Sequence, residues 1–140
     1  MQVREAMAKT NITAAPSDRN GRFESLMKQE DCGFIPVVQD GGVVGVVTDR
    51  DLVVRAMAGS AAGPAEIPVE QVMTRSVWSV GAEDAIESAA HAMAEHEVRR
   101  LPVMDGSRLV GILSYGNLEQ ALHAQGPAAA EATLGVTAGA

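Results

Sequence analysis

Aromatic residues are scarce in this sequence, and acidic residues outnumber basic ones. Aromatic side chains account for 3% of the 140 residues, so a nucleic-acid surface built on stacked aromatic rings has almost nothing to stack with. Lysine and arginine number 11 against 18 acidic residues, which gives a formal net charge of -7 at pH 7. Such a chain repels a polyanion on average. Both shortages argue against DNA or RNA as a partner.

Long hydrophobic runs are also missing. The N-terminal segment has no apolar stretch of signal-peptide length, and nowhere do about 18 uninterrupted apolar residues occur to span a bilayer. The single cysteine, Cys32, cannot form an internal disulfide and is expected to be a small buried side chain. We therefore expect a cytoplasmic protein that has no membrane partner.

The sequence does contain enough aliphatic residues for a packed core, and it contains them in a repeat. Hydrophobic residues make up 46% of the chain, which suffices for a globular core. An offset of 66 residues aligns the sequence with itself without gaps. The residues kept by this offset include Met7 with Met73, Pro36 with Pro102, and Gly45 with Gly111. An internal duplication is therefore predicted.

Each half predicts the same order of elements, βαββα. In the second half the spacing of apolar residues indicates a strand at 76–80, a helix at 83–96, strands at 101–104 and 108–113, and a helix at 117–123. In the first half we expect the first helix to begin near Arg22 or Phe23, because the preceding residues are polar and include a glycine. One such unit exposes apolar sheet surface that a second unit would bury. The predicted fold class is α/β, in the α+β sense.

The repeat also predicts the domain boundaries. The first unit is expected over residues 1–60, a linker over 61–68 and the second unit over 69–123. Residues 124–140 are rich in alanine and glycine. Such low complexity at a terminus favours a frayed, disordered tail over a short helix at 128–134.

The third strand of each half ends in a hydroxyl residue that is followed three positions later by Asp or Asn. Thr48 and Asp51 in the first half correspond to Ser114 and Asn117 in the second. One interpretation is structural, because residues of this type at this spacing form a capping box at a helix N-terminus. The other is functional, because a helix N-terminus favours phosphate and a carboxylate can accept both hydroxyl hydrogens of a ribose. The two roles are compatible.

The two halves together resemble a pair of cystathionine-β-synthase-type (CBS) domains. The resemblance covers about residues 1–123 and rests on the segments Phe34–Val38, Gly45–Asp51, Arg100–Met104 and Gly111–Ser114. It implies two tandem units packed into one pseudo-two-fold module, of the kind found as stand-alone bacterial proteins. It further implies a regulatory module that binds AMP, ADP or ATP in clefts between the units and forms a homodimer. The nucleotide would be a regulatory ligand, and no cofactor is expected.

The resemblance assigns ligand-binding roles to residues of both halves. In the first site Thr48 and Asp51 would hold the ribose and phosphate, with Arg50 as a candidate for the phosphate. The base of that site would be enclosed by Thr10, Ile12, Gly33, Phe34 and Pro36. In the second site Ser114 and Asn117 would take the same roles as Thr48 and Asp51. The base there would lie near Val77, Trp78, Arg100 and Pro102.

The second half departs from the family pattern at Asn117, where an aspartate is usual. An amide offers one acceptor oxygen and no charge, so the bidentate grip on a ribose diol is lost. We therefore predict that the first site binds ribose better and that the second is weak, altered or empty.

Several other side chains have a structural interpretation beside a functional one. Arg99 and Arg100 could neutralise phosphates or simply be solvated at the surface. Trp78 aligns with Ile12, which favours a packed strand position over a base-stacking role. His91 and Glu95 share a helix face, but two such residues do not make a metal site, and none is predicted.

Two functions from different classes remain open at this stage. The preferred one is ligand sensing, in which a bound nucleotide favours one arrangement that an unknown protein partner recognises. The alternative is a structural dimerisation module with empty clefts, which the change at Asn117 supports. An enzyme is not predicted, because no histidine or lysine is placed by the sequence to activate Thr48.

Overall fold

The packing of the chain divides it differently from the sequence repeat. The computed structural model describes residues 1–9, 12–30, 33–57, 66–75 and 77–138. One compact unit, which we call the central unit, is Ile12–Val77, and the other, the composite unit, combines Met1–Asn11 with Trp78–Ala140. The predicted boundaries at 1–60 and 69–123 follow the repeat, whereas the compact units exchange the opening segment of each repeat. Cys32 and most of the predicted linker lie outside the described residues.

The central unit is built on a hairpin. Its elements are α2 (Asn20–Glu30), β2 (Phe34–Gln39), β3 (Gly42–Thr48), α3 (Asp49–Asp51), a π-helix (Leu52–Met57) and a 3-10 turn (Val69–Gln71). Strands β2 and β3 pair antiparallel across a two-residue turn, Asp40 and Gly41, whose φ angles are 53° and 82°. Positive φ at both turn residues matches the twist of the hairpin, and glycine adopts it without strain.

The composite unit contains a four-stranded sheet in the order β1-β6-β5-β4. Its elements are α1 (Val3–Ala6), β1 (Ala8–Lys9), β4 (Val80–Gly81), α4 (Ile86–His96), β5 (Arg100–Asp105), β6 (Arg108–Ser114), α5 (Tyr115–Gln125) and α6 (Pro127–Ala138). Strand β1 runs antiparallel to β6, β6 antiparallel to β5, and β4 parallel to β5. The sheet therefore needs residues from both ends of the chain.

Each unit has its own hydrophobic core, in which aliphatic side chains predominate. The fully buried side chains of the central unit include Phe23, Ile35, Val37, Val47 and Val72. Those of the composite unit include Val3, Ile86, Leu101, Leu113 and Leu118. The mixed α+β fold of two tandem units is thus confirmed. Its cores consist mainly of aliphatic residues, as expected for a sequence with few aromatic residues.

The duplication predicted from the sequence is reproduced in the strand register. Phe34 pairs with Thr48 in the central unit, and Arg100 pairs with Ser114 in the composite unit. Both hairpins also shift register at equivalent places, between Val37 and Val38 and between Val103 and Met104. A bulge at the same position in both copies shows that the two hairpins have the same backbone geometry.

Two close approaches between a methionine and a glycine hold the exchanged segments in place. A Cβ atom added to Gly45 would lie 2.6 Å from the Sδ of Met73, and one added to Gly111 would lie 2.6 Å from the Sδ of Met7. Side chains essentially never approach this closely, so both strands require glycine there. Residues of the opening segments, Val3 and Val69, are completely buried. Each opening segment is therefore part of the core of the unit that it joins.

Helix α2 begins at Asn20, and the predicted start near Arg22 or Phe23 is therefore too late. The polar residues before it support the helix start. The Asp18 carboxylate accepts a hydrogen bond from the Arg22 guanidinium at 2.8 Å, a favourable pair one turn apart. The N–H of Asn20 donates to the carbonyl of Ile67 at 3.0 Å.

The prediction of a frayed, disordered tail is wrong, because Pro127–Ala138 forms helix α6. This helix packs on α4 and α5. Ala130 is 2% exposed, and Leu134 packs against the same core. Alanine has the highest helix propensity, and its small side chain lets helices approach closely. The biased composition of the tail therefore suits a packed helix.

None of the helices in the described part of the chain has the length and apolarity that crossing a bilayer requires.

We predict that Gly45→Ala lowers the free energy of unfolding by about 1–3 kcal/mol, the usual cost of overpacking a core. The added Cβ would meet the Sδ of Met73 at 2.6 Å and the carbonyl oxygen of Thr74 at 2.9 Å. Because one of these atoms is backbone, the clash cannot be relieved by a side-chain rotation alone. Urea denaturation followed by circular dichroism measures the loss.

Gly42→Ala in the same strand is the matched control. The nearest atom to its added Cβ is the carbonyl oxygen of Gln39 at 3.8 Å, an ordinary contact distance. Equal losses of stability for Gly42→Ala and Gly45→Ala would show that the methionine contact does not constrain the fold.

Candidate ligand-binding site

The end of β3 carries the capping box that the sequence predicts. The hydroxyl of Thr48 accepts a hydrogen bond from the N–H of Asp51 at 3.1 Å, and the Asp51 carboxylate accepts one from the N–H of Thr48 at 3.0 Å. In the composite unit Ser114 and Asn117 make the same two bonds at 3.0 and 3.1 Å. Both copies thus use these side chains to begin a helix.

The Asp51 carboxylate has a further partner in the central unit. The hydroxyl of Thr74 lies 3.2 Å from Oδ1 and 3.4 Å from Oδ2 of Asp51. Asp51 is only 8% exposed. An ionised carboxylate can accept about four hydrogen bonds, so the Thr48 and Thr74 donors leave acceptor capacity for a ligand.

A cavity opens beside this carboxylate. It has a volume of about 340 Å³ and is lined by Thr48, Arg50, Asp51, Val54, Arg55 and Thr74. All six residues belong to the central unit. Pockets that bind small molecules span about 300–1,000 Å³, so a small ligand or part of a larger one fits here.

The charges of the cavity suit an anion that also carries hydroxyl groups. Two guanidinium groups, those of Arg50 and Arg55, line it together with the single carboxylate of Asp51. Among the described residues neither arginine forms an ion pair. The cavity therefore has an excess of positive charge in a protein whose net charge is -7. Guanidinium groups bind phosphate well, and a carboxylate accepts from hydroxyl groups.

The residues expected around the base of the first site lie in the same unit but do not line this cavity. Gly33 and Phe34 are close to it, since Phe34 lies opposite Thr48 and the N–H of Asp49 donates to the carbonyl of Gly33 at 3.2 Å. Pro36 is buried in β2, and Ile12 packs against the core of the unit. Thr10 lies outside the described residues. The base-binding role of these residues stays a prediction.

The residues predicted for the second site are divided between the two units. Ser114, Asn117, Arg100 and Pro102 belong to the composite unit, whereas Val77 ends the central unit. Pro102 is buried, and Ser114 and Asn117 are partly buried. Their role in ligand binding also stays a prediction.

Three residues of the cavity were not identified from the sequence. Arg55 follows Asp51 by four positions, a helical spacing that could have indicated a shared face. Val54 gives no signal of its own. Thr74 could be found only by knowing that the opening segment of the second repeat packs on β3, because it lies 23 positions from Asp51.

The prediction that Trp78 occupies a packed strand position is wrong. Strand β4 begins only at Val80, so Trp78 precedes it, and Trp78 is 47% exposed. Its ring stacks on the imidazole of His96 with 3.7 Å between centroids and 4° between planes. The Arg99 guanidinium also has a local partner, the Tyr115 ring, whose centroid lies 4.4 Å away. This cation–π contact gives Arg99 a structural role.

Among the described residues, no group of three or more His, Cys, Asp or Glu side chains is placed to hold a metal ion.

Comparison with known proteins agrees with the fold and with the repeat. The family model described as the CBS domain matches the chain twice, over residues 3–57 and 69–124. The chain belongs to the CBS-domain family. Both matches include the hairpin and the capping box of their repeat, so all six residues that line the candidate site lie within the matched segments.

Relatives and solved structures are similar over most of the chain. The CBS domain-containing protein YhcV of Bacillus subtilis is 38% identical over 116 residues, which are 83% of this chain and 81% of that protein. The CBS-domain containing protein ATU1752 of Agrobacterium tumefaciens has a TM-score of 0.75 at 27% identity, covering 86% of this chain and 98% of its own. CBSX2, solved in complex with AMP, has a TM-score of 0.74 at 27% identity, covering 86% and 94%.

We predict that Thr48→Ala and Ser114→Ala each lower the free energy of unfolding by about 1 kcal/mol, the typical cost of losing an N-cap hydroxyl. Each change leaves one backbone N–H, that of Asp51 or Asn117, without its side-chain acceptor. Chemical denaturation of the two variants beside the wild type measures the effect. A loss in only one variant would mean that the two caps are not equivalent.

Proposed function

We propose that the protein is a regulatory module that binds an adenosine nucleotide, AMP, ADP or ATP, at the cavity beside Asp51. The observation that carries this proposal is the combination, in one cavity, of a nearly buried Asp51 and two arginines that form no ion pair with any described residue. That CBSX2, a similar CBS protein, was solved with AMP supports the choice of nucleotide. No catalytic step is part of the proposal.

Each part of a nucleotide has a chemical counterpart in or near the cavity. The two ribose hydroxyl groups are donors, and Asp51 is an acceptor that is already oriented. The phosphate carries negative charge, and Arg50 supplies an exposed guanidinium beside the helix start. Gly33 and Phe34, at the start of β2, are the nearest of the predicted base contacts. A ligand lacking either the diol or the phosphate would lose one of these two sets of contacts.

The module is further proposed to work as a cytoplasmic homodimer that a protein partner recognises. A module without chemistry of its own can act only by changing how it interacts with another molecule. Sedimentation velocity with and without AMP measures whether the chain is a dimer and whether the ligand changes its assembly.

The alternative function, a structural module with empty clefts, is favoured by one specific observation. The capping bonds of Thr48 and Asp51 satisfy each other, so these residues have a role in folding without any ligand. A test of the nucleotide site must therefore remove the charge and keep the cap.

Asp51→Asn meets this requirement. An asparagine amide oxygen can accept from the N–H of residue 48, as Asn117 accepts from Ser114 at 3.1 Å. We predict that Asp51→Asn binds AMP about 10- to 100-fold more weakly, because a hydrogen bond to a charged group contributes about 1.5–3 kcal/mol. Isothermal titration calorimetry measures the affinity.

The control is Asp105→Asn, the same change of charge at an exposed hairpin residue outside the cavity. Its AMP affinity should equal that of the wild type. If Asp51→Asn also binds like the wild type, Asp51 is not in the site. If no adenosine nucleotide raises the melting temperature of the wild-type protein at saturating concentration, the structural function is correct.

A further inference from the structure

The segment Val72–Thr74, which opens the second repeat, is fixed beside the end of β3. The N–H of Thr74 donates to the carbonyl of Val46 at 2.8 Å, and the N–H of Val46 donates back to Thr74 at 3.0 Å. Val72 and Met73 are 1% and 4% exposed. The segment thus has little freedom to move relative to the cavity that it borders.

At the C-terminal end of this segment, Thr74 donates a hydrogen bond to the Asp51 carboxylate. A threonine hydroxyl has a single proton, and that of Thr74 points to the Asp51 oxygens at 3.2 and 3.4 Å. Together with the N–H of Thr48, this hydroxyl fixes the plane in which the carboxylate lies. A carboxylate held in one orientation binds a diol without a further loss of side-chain entropy.

The other two residues of the segment accept hydrogen bonds from Arg55. Nη1 of Arg55 donates to the carbonyl of Val72 at 3.2 Å and to that of Met73 at 3.0 Å. These bonds use one of the three guanidinium nitrogens, so the donors on Nε and Nη2 remain for another partner. Since Arg55 lines the cavity, that partner can be an anionic group of the ligand.

We propose that the segment Val72–Thr74 preorganises both ends of the ligand site. Thr74 positions the Asp51 carboxylate for the ribose diol, and the carbonyls of Val72 and Met73 hold Arg55 as a phosphate-binding residue. This inference rests on the proposed function and extends it to residues that no motif identifies. It also makes ligand binding depend on a segment that belongs to the other sequence repeat.

The composite unit provides an internal comparison. By the offset of 66 residues, the six cavity positions correspond to Ser114, Gly116, Asn117, Gln120, Ala121 and Ala8. The scaffold is kept, since Ala8 pairs with Ile112 just as Thr74 pairs with Val46. Both arginines, the carboxylate and the hydroxyl of Thr74 are absent from it. The composite unit therefore lacks the charged groups of this cavity among the residues that the structure describes, and calorimetry should give one AMP per chain.

The role of Thr74 is tested with Thr74→Val, which keeps the shape and removes the hydroxyl. We expect AMP to bind about 10-fold more weakly to Thr74→Val, while the affinity for 2′,3′-dideoxy-AMP stays at the wild-type value. Thr74→Ser should bind AMP with the affinity of the wild type, because serine retains the hydroxyl group. A role confined to folding would weaken the binding of both nucleotides equally, and that result overturns the positioning role.

The role of Arg55 is tested with Arg55→Met, which keeps the aliphatic stem and removes the charge. We expect AMP to bind at least about 10-fold more weakly, while adenosine, which has no phosphate, binds as it does to the wild type. The control is Arg108→Met, since Arg108 is an exposed arginine of the composite unit. Equal weakening of AMP and adenosine overturns the phosphate-binding role.

The outcomes separate this inference from the proposed function. If the wild type and Asp105→Asn bind AMP equally and Asp51→Asn binds it about 10- to 100-fold more weakly, the nucleotide site is supported. If Thr74→Val and Arg55→Met then bind AMP like the wild type, the segment does not organise that site and the inference is wrong. If the wild type binds neither AMP nor adenosine, the proposed function and the inference both fail.

Discussion

The contact of a methionine sulfur with a strand glycine is the constraint on which the rest of the structure depends. Met73 lies over Gly45 and Met7 over Gly111, at distances that leave no room for a side chain on either strand. Glycine in these positions lets the opening segment of each repeat pair with the adjacent strand, β3 or β6. The valine of each segment, Val69 or Val3, is then buried. The exchange of opening segments completes both cores, and for that reason the compact units do not coincide with the repeats.

The docked segment contributes a hydroxyl to a charged cavity in the central unit, whereas the equivalent residue of the composite unit is an alanine. Positions that pack keep their type in both copies, as Met7 with Met73 and Gly45 with Gly111 do. Cavity positions outside the capping box do not, since Thr74 corresponds to Ala8 and Arg55 to Ala121. Residues that pack in the core are constrained by the stability of the fold, and this constraint applies to both units. Cavity residues that do not cap a helix are free of that requirement, so one copy can lack these polar groups and keep the same backbone.

How much the sequence could predict depends on the range of the interaction. The hairpins and the capping boxes were predictable because alternation and a three-residue spacing are local signals. The exchange of segments was not, and with it the contact of Thr74 with Asp51 was missed, because the two lie 23 positions apart. Composition misled at Ala130, where a low-complexity tail packs as a helix. The alignment of Trp78 with Ile12 misled as well, because the strand begins two residues later.

The negative charge of Asp51 is the feature that folding alone does not explain. Asn117 makes the same capping bonds with a neutral amide, so the helix start needs an acceptor but no charge. Asp51 is 8% exposed, and burying a charged group costs free energy unless it is hydrogen-bonded. Thr74 and Thr48 offset part of this cost by donating to the carboxylate. The proposed ligand, with two hydroxyl donors, would use the charge, because each of the two carboxylate oxygens can accept from one hydroxyl group and hydrogen bonds to an ionised acceptor are stronger.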